Sequence, residues 1–151
     1  MPDTDTPPYV IRPFSEATDA NAVVDLWRRT FAYDAPHNDP SLSLSRKRAT
    51  GDGLLWVAVH GSAVVGTIMA GYDGHRGWLY SVAVDATHQG LGIGSALVRH
   101  AEGALADLGC LKINLQLVAS NQATTAFYEA LGYRVEPRIS MGKVLHRSPR
   151  P

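Results

Sequence analysis

Val82-Ala83-Val84-Asp85-Ala86-Thr87-His88-Gln89-Gly90-Leu91-Gly92-Ile93-Gly94 is the stretch on which the fold of this chain turns. An aromatic and β-branched strand, Trp78 to Val84, runs into a short polar loop, and a helix opens on closely spaced glycines. Ile93, Leu97, Ala101, Ala104, Leu105 and Leu108 then recur at helical spacing, and Gly109 is a natural stop. A helix start of this kind leaves backbone N–H groups without intrahelical acceptors at the positive end of the dipole. Glycines there carry no side chain to keep an anion at a distance. The loop is suited to a phosphate or pyrophosphate.

On either side of this loop, helical and strand patterns alternate. Tyr9 to Phe14 predicts a first strand. Ser15 or Thr18 can cap a helix carrying Ala20, Val23, Trp27 and Phe31 on one face. Asp39-Pro40 predicts the cap and first position of a second helix ending near Gly51. Leu54 to Val59 and Ala63 to Tyr72 predict strands joined at His60-Gly61. Beyond the long helix, Ile113, Leu115 and Leu117 alternate with Lys112, Asn114 and Gln116, which predicts a two-faced strand reaching Val118. Asn121 to Leu131 predicts a helix stopped by Gly132, and Ser140 to Leu145 a last strand. The expected class is α/β, a mixed sheet with helices on its faces.

Composition limits the function classes. The chain has 151 residues, 45% hydrophobic and 19% charged, a length that suits one domain with its own core. Its 14 basic and 14 acidic side chains balance, which argues against a nucleic-acid partner, since such proteins neutralise phosphates with excess Lys and Arg. Six scattered histidines and a lone Cys110 give no metal-ligand spacing and no internal disulfide, so no metal is expected. Cys110 itself reads as small buried core. No apolar run is long enough to cross a bilayer, and Met1 to Pro8 lacks the apolar stretch of a secretory signal. These features predict a cytoplasmic protein with a domain over residues 9–146, flanked by flexible tails at 1–8 and 147–151.

Three phosphate-binding patterns compete for the glycines. A Walker loop fails because no Lys-Ser or Lys-Thr pair follows them. A dinucleotide fingerprint read from Gly92 puts Leu97 at the third glycine. A coenzyme A pyrophosphate loop, Gln-x-x-Gly-x-Gly, fits Gln89, Gly92 and Gly94. Taken alone, the run also fits a turn that merely packs a helix on a sheet.

A second segment narrows the choice. Asn121 is followed by Ala126-Phe127-Tyr128-Glu129-Ala130-Leu131-Gly132-Tyr133. The two motifs in this order resemble the GCN5-related N-acetyltransferases, the GNAT superfamily, over about residues 9 to 145. The resemblance implies a mostly antiparallel central sheet whose splayed central strands, Leu79–Val84 and Ile113–Val118, form a V-shaped cleft. It implies acetyl-coenzyme A as donor, with Val82 and Val84 holding the pantetheine arm through backbone groups. Gln89, Gly90, Gly92, Gly94 and Ser95 would hold the diphosphate, and a main-chain N–H near Val82 would polarise the acetyl carbonyl. Asn121 would bond to the coenzyme arm, a role compatible with capping a helix. Tyr128 takes the place of the general acid that protonates the departing thiolate, and Phe127 beside it reads as core.

The implied reaction is direct attack on the acetyl thioester, within a ternary complex, by a primary amine borne by a small molecule, peptide or protein acceptor, with the coenzyme thiolate as leaving group. Many relatives dimerise, so a homodimer is compatible. Attack needs a neutral amine, and freeing a lysine amine at pH 7 costs about 4.6 kcal/mol against about 1.4 for an α-amine. Several relatives place a Glu base in the strand before the Asn; alignment on Asn121 puts Gln116 there, and an amide cannot take the proton. An acceptor of low pKa, a base elsewhere or a water relay ending at Asp73, His75 or Tyr80 would answer the gap. The loop Phe31 to Asn38 is the expected specificity element, and Arg46-Lys47-Arg48 reads as a solvated face able to meet an acidic substrate. Two rival functions stay open: an acyl-coenzyme A sensor without turnover, and another nucleotide-binding α/β protein.

Overall fold

A computed structural model describes residues 8–31 and 35–146, which fall into two compact units, one ending at Gln116 and one beginning at Leu117. The expected tails lie outside the described residues, apart from Pro8. In the first unit the order is β1 (Val10–Pro13), α1 (Glu16–Thr30), α2 (Pro40–Thr50), β2 (Leu55–His60), β3 (Ala63–Tyr72), β4 (Gly77–Val84), α3 (Ile93–Asp107) and β5 (Ile113–Asn114). The second unit holds α4 (Gln122–Ala130).

The five strands form one sheet in chain order. β1 to β4 are antiparallel neighbours, while β5 joins β4 in parallel. The expected mixed, mostly antiparallel sheet is what the chain forms. Side-chain alternation then assigns the two faces. Leu55, Val57 and Ala83 bury against Val23, Leu26 and Trp27 of α1 and Leu44 of α2. On the other face Trp56 meets His100 of α3 edge to face, with ring centroids 5.4 Å apart. Ile93, Leu97, Val98, Ala101 and Leu105 form the buried stripe of α3. Leu108, expected on that stripe, is instead exposed as the C-cap, because the helix ends before the stripe completes another turn.

Two glycines set how close α3 lies. A Cβ at Gly66 would meet Leu97 at 3.0 Å and Ile93 at 3.1 Å, and one at Gly77 would meet Cys110 Sγ at 2.8 Å. Cys110 is half-buried rather than core, its thiol donating to the Lys112 carbonyl at 3.3 Å.

Local chemistry explains the helix starts. Asp39 accepts from the Leu42 N–H at 3.1 Å, and α2 closes on Gly51 in the left-handed conformation, φ 62°. At α1, Ser15 stands at the N-cap, but its side chain makes no capping bond. The buried carboxylate of Asp19 does that work instead. It takes the Ser15 N–H at 2.7 Å and both guanidinium nitrogens of Arg12 at 2.7 and 2.9 Å. β1 is thereby clamped to the first turn of α1. Of the basic triplet, Arg46 and Arg48 are exposed as expected, and two members are paired. Lys47 pairs with Asp52 at 2.7 Å and donates to the Ala70 carbonyl, and Arg48 pairs with Glu16.

Two predicted strands are shorter or absent. β5 covers only Ile113 and Asn114 of the expected 113–118, and residues 140–145 form no strand. Alternation marks a segment able to show two faces, but a strand also needs a neighbouring ladder. Among the described residues none pairs with 115–118 or 140–145. Ile139 and Met141 accordingly stand exposed.

The Arg12 hydrogen bonds hold the Asp19 carboxyl below its ordinary range. A depressed pKa contributes stability that is complete above the unfolded value and lost as pH falls through the native one. Asp19→Ala should cost about 2–4 kcal/mol at pH 7, read by denaturant unfolding. The gap between parent and variant should narrow below about pH 4.

Candidate active site

The sequence around β4 carries the geometry. Gly77 and Trp78 pair with Ile113 and Asn114, and there the parallel ladder ends. β4 continues to Val84 bonded only to β3, so from Leu79 onward one edge is not covered by β5. This is the expected splay, produced within the first unit by a ladder two residues long.

The register between β3 and β4 shifts between Thr67 and Met69: Thr67 faces Ala83 and Met69 faces Tyr80. Ser81 and Val82 together oppose Ile68, which is a β-bulge. Ser81 has φ 50°, the one non-glycine residue with positive φ among the described residues. The extra residue also reverses the alternation and turns Ala83 toward α1, where it joins the Trp27 cluster. The Ser81 carbonyl accepts from the Thr67 hydroxyl at 3.0 Å, so it points at β3. Among the described residues all peptide bonds are trans, so the N–H of Val82, in the same plane, points the opposite way, away from Thr67 and β3.

After Val84 the chain is fixed by short-range bonds. Asp85 donates its N–H to Val65 at 2.8 Å and caps a single turn, Ala86–His88, through the Thr87 N–H at 2.9 Å. Arg29 pairs with Asp85 at 2.8 Å, and His88 lies 3.1 Å from His60, nitrogen to nitrogen. Gln89 is extended, while Gly90 and Gly92 are left-handed at φ 81° and 79°. Gly92 is the N-cap of α3 and brings no side-chain acceptor, and the first turn holds no acidic residue. The N–H groups at the start of α3 thus keep their capacity for an anion. Val82, Val84, Gln89, Gly90, Gly92, Gly94 and Ser95 lie on this one continuous run. Val82 and Val84 are half-buried, and Gln89 to Gly92 are exposed.

In the second unit Asn121 is the N-cap of α4 and accepts from the Thr124 N–H at 3.1 Å. Tyr128 is 6% exposed and packs edge-on between Phe127 and Tyr133, at 4.9 and 5.6 Å. Phe127, expected as core, is only half-buried; successive helical side chains diverge, and the inward direction here is that of Tyr128. Burial pushes the Tyr128 phenol up to about 12, so at neutral pH it is a proton donor, not an acceptor.

The base candidates lie around the β3–β4 turn. Asp73 accepts from the N–H groups of His75 and Arg76 at 2.7 and 2.8 Å. Those bonds, Arg76 first, hold its carboxyl below the ordinary range, which weakens it as a base. Burial, with Asp73 nearby, raises the Tyr80 phenol. Neither group is tuned toward neutrality. Of the expected specificity loop, residues 32–34 lie outside the described residues, while Pro36–Asn38 forms a single 3-10 turn. Among the described residues no group of three His, Cys, Asp or Glu could hold a metal ion, and no helix is long and apolar enough to cross a membrane. Sequence reasoning missed Thr67 and the bulge at Ser81.

The Tyr128 shift has a measurable consequence. A phenol raised from about 10 to about 12 makes stability fall with rising pH between those values, because the unfolded chain loses its proton first. Absorbance titration near 295 nm should show one of the six tyrosines ionising near pH 12, and Tyr128→Phe should remove that step.

Comparison with known proteins bears on the fold and the family. The profile of the acetyltransferase (GNAT) family matches residues 20–133. A curated acetyltransferase of Pectobacterium atrosepticum is 39% identical over 127 residues, covering 84% of this chain and 89% of its own length. The crystal structure of the PaiA N-acetyltransferase from Thermoplasma acidophilum, in complex with coenzyme A, superposes with a TM-score of 0.75 at 20% identity, over 87% of this chain and 92% of that one. A transcriptional regulator from Bacillus halodurans superposes at 0.70 with 25% identity, over 91% of this chain and 99% of its own. The low-identity superpositions show a shared fold. With a family profile across most of its length and a 39% identical acetyltransferase relative, this chain belongs to the acetyltransferase (GNAT) family.

Proposed function

We propose that the protein transfers an acetyl group from acetyl-coenzyme A to a primary amine, by direct attack in a ternary complex. The observation that carries this reading is the run from Ser81 to Ser95: an uncovered strand edge with an outward N–H leads straight into an open helix start. Val82 and Val84 then offer backbone groups to the pantetheine arm, as an added strand would use them. Gln89, Gly90, Gly92, Gly94 and Ser95 hold the diphosphate. Asn121 bonds to the coenzyme arm, and the Val82 N–H polarises the acetyl carbonyl. Tyr128, with its raised pKa, protonates the leaving thiolate.

The proton on the incoming amine sets the acceptor class. Gln116 stands where relatives carry a Glu, and neither Asp73 nor Tyr80 is tuned to take a proton near neutrality. An acceptor that arrives already neutral fits this site, which favours an amine of low pKa, such as an α-amine, over a lysine side chain. The acceptor is a small molecule or a peptide terminus.

Release of free thiol across a panel of amines tests the reading. Turnover should appear with α-amines and rise with pH through the amine's own pKa, unchanged by His75→Ala. Tyr128→Phe should lower kcat about 100-fold while calorimetric affinity for the coenzyme holds. Gly92→Val should weaken that affinity at least tenfold, since its left-handed backbone disfavours a β-branched residue. Thermal stabilisation by acetyl-coenzyme A with no thiol release on any amine would favour the sensor that the Gln116 substitution suggests. Stabilisation by nucleotides in preference to coenzyme A would sink the acetyl-transfer reading.

A further inference from the structure

We propose that Thr67 and Trp27 are positioning residues that hold the Val82 N–H in its orientation toward the acetyl carbonyl, an inference that rests on the transfer reading above.

Thr67 is fully buried in the middle of β3, on the face it shares with Val57, Ala83 and the apolar side of α1. Valine has the same shape and suits a buried strand at least as well. A hydroxyl there costs about 1–3 kcal/mol unless its bonds are made, so its presence asks for a reason. Both of its main capacities are used. The Trp27 indole Nε1 donates to it at 2.8 Å, and it donates to the Ser81 carbonyl at 3.0 Å. The indole bond leaves the hydroxyl proton directed at the carbonyl, so the relay has one sense, from Trp27 through Thr67 to Ser81.

The grip falls on the strained point of β4. A non-glycine residue at φ 50° costs about 1–2 kcal/mol relative to ordinary extended backbone. Regular pairing would relieve that strain by turning the Ser81–Val82 peptide, and the turn would swing the Val82 N–H toward β3. The Thr67 bond opposes this rotation. Trp27, on the buried side of α1, fixes the threonine rotamer that makes the bond. Neither side chain touches substrate; both act through the Ser81–Val82 peptide plane.

The test is Thr67→Val, with Thr67→Ser as the conservative rescue, measured for kcat, calorimetric affinity for acetyl-coenzyme A, and the Val82 amide signal in ¹⁵N-labelled protein. In Thr67→Val, kcat should fall about 10- to 100-fold, less than the roughly 100- to 1,000-fold cost of losing an oxyanion donor outright, because the N–H is misdirected and not removed. Affinity for acetyl-coenzyme A should stay within about threefold, because the diphosphate loop is untouched. Thr67→Ser should return kcat to within about threefold of the parent, and Trp27→Phe should fall between the two. The Val82 amide should move in Thr67→Val before any ligand is added, and return in Thr67→Ser. A Thr67→Val protein with the parent kcat, or one whose coenzyme affinity falls in step with its rate, overturns the proposal. A parent that turns over no amine, with a Val82 amide that does not distinguish acetyl-coenzyme A from coenzyme A, overturns the transfer reading and this inference with it. A parent amide that responds to the acetyl group, but sits at the same shift in Thr67→Val, overturns the inference alone.

Discussion

Two strands that run side by side for only two residues are the constraint on which the chemistry of this protein depends. Gly77 and Trp78 are paired with Ile113 and Asn114, and then β4 goes on without β5. A strand edge left uncovered inside a sheet presents donors and acceptors that an extended ligand can complete. What keeps the edge from collapsing into regular pairing is local. The bulge at Ser81 spoils the register on one side, and Thr67 bonds to the carbonyl that the bulge displaces. Sheet topology, strained backbone and buried hydroxyl thus meet on one stretch of β4.

The glycine loop extends that logic to charge. β4 delivers its last residue directly into the Asp85 turn, and two left-handed glycines lead into an N-cap without a side chain. Native helices usually cap their first N–H groups with their own oxygen atoms, as Asp39 and Asn121 do here. α3 does not; like α1 it has no side-chain cap, but α1 has Glu16 and Asp19 in its first turn and α3 has no acidic residue there. Tyr128 follows a different principle: burial alone sets its protonation, with no charged partner among the causes.

Much of this was legible in the residues. Asp39-Pro40, Asn121 and the glycines at 51, 92, 109 and 132 mark helix ends by chemistry that is local, and local chemistry reads directly from sequence. The glycine run stands at the start of α3 and Asn121 at the start of α4, each a helix end marked by its own residues. The rest depended on partners. Ile113 to Val118 alternates as a strand should, yet alternation cannot say how far a neighbour accompanies it. The bulge at Ser81 has no glycine to announce it, and Thr67 looks like any threonine in a β-rich run. Phe127 and Tyr128 are adjacent aromatics on one helix, and only the packing decides which of them turns inward. Leu108 shows the same limit: the periodic stripe outlasts the helix by one position.

Gly66 lies beneath the first turns of α3 and Gly77 beneath its end, so the helix rests on the sheet at two bare points and its tilt is fixed like a beam on two supports. A methyl group at either point would lift one end. One end is the glycine-rich start of the helix, and the other stands over the place where β4 and β5 part. The spacing between the start of α3 and the uncovered edge of β4 is therefore held only while these two positions stay bare.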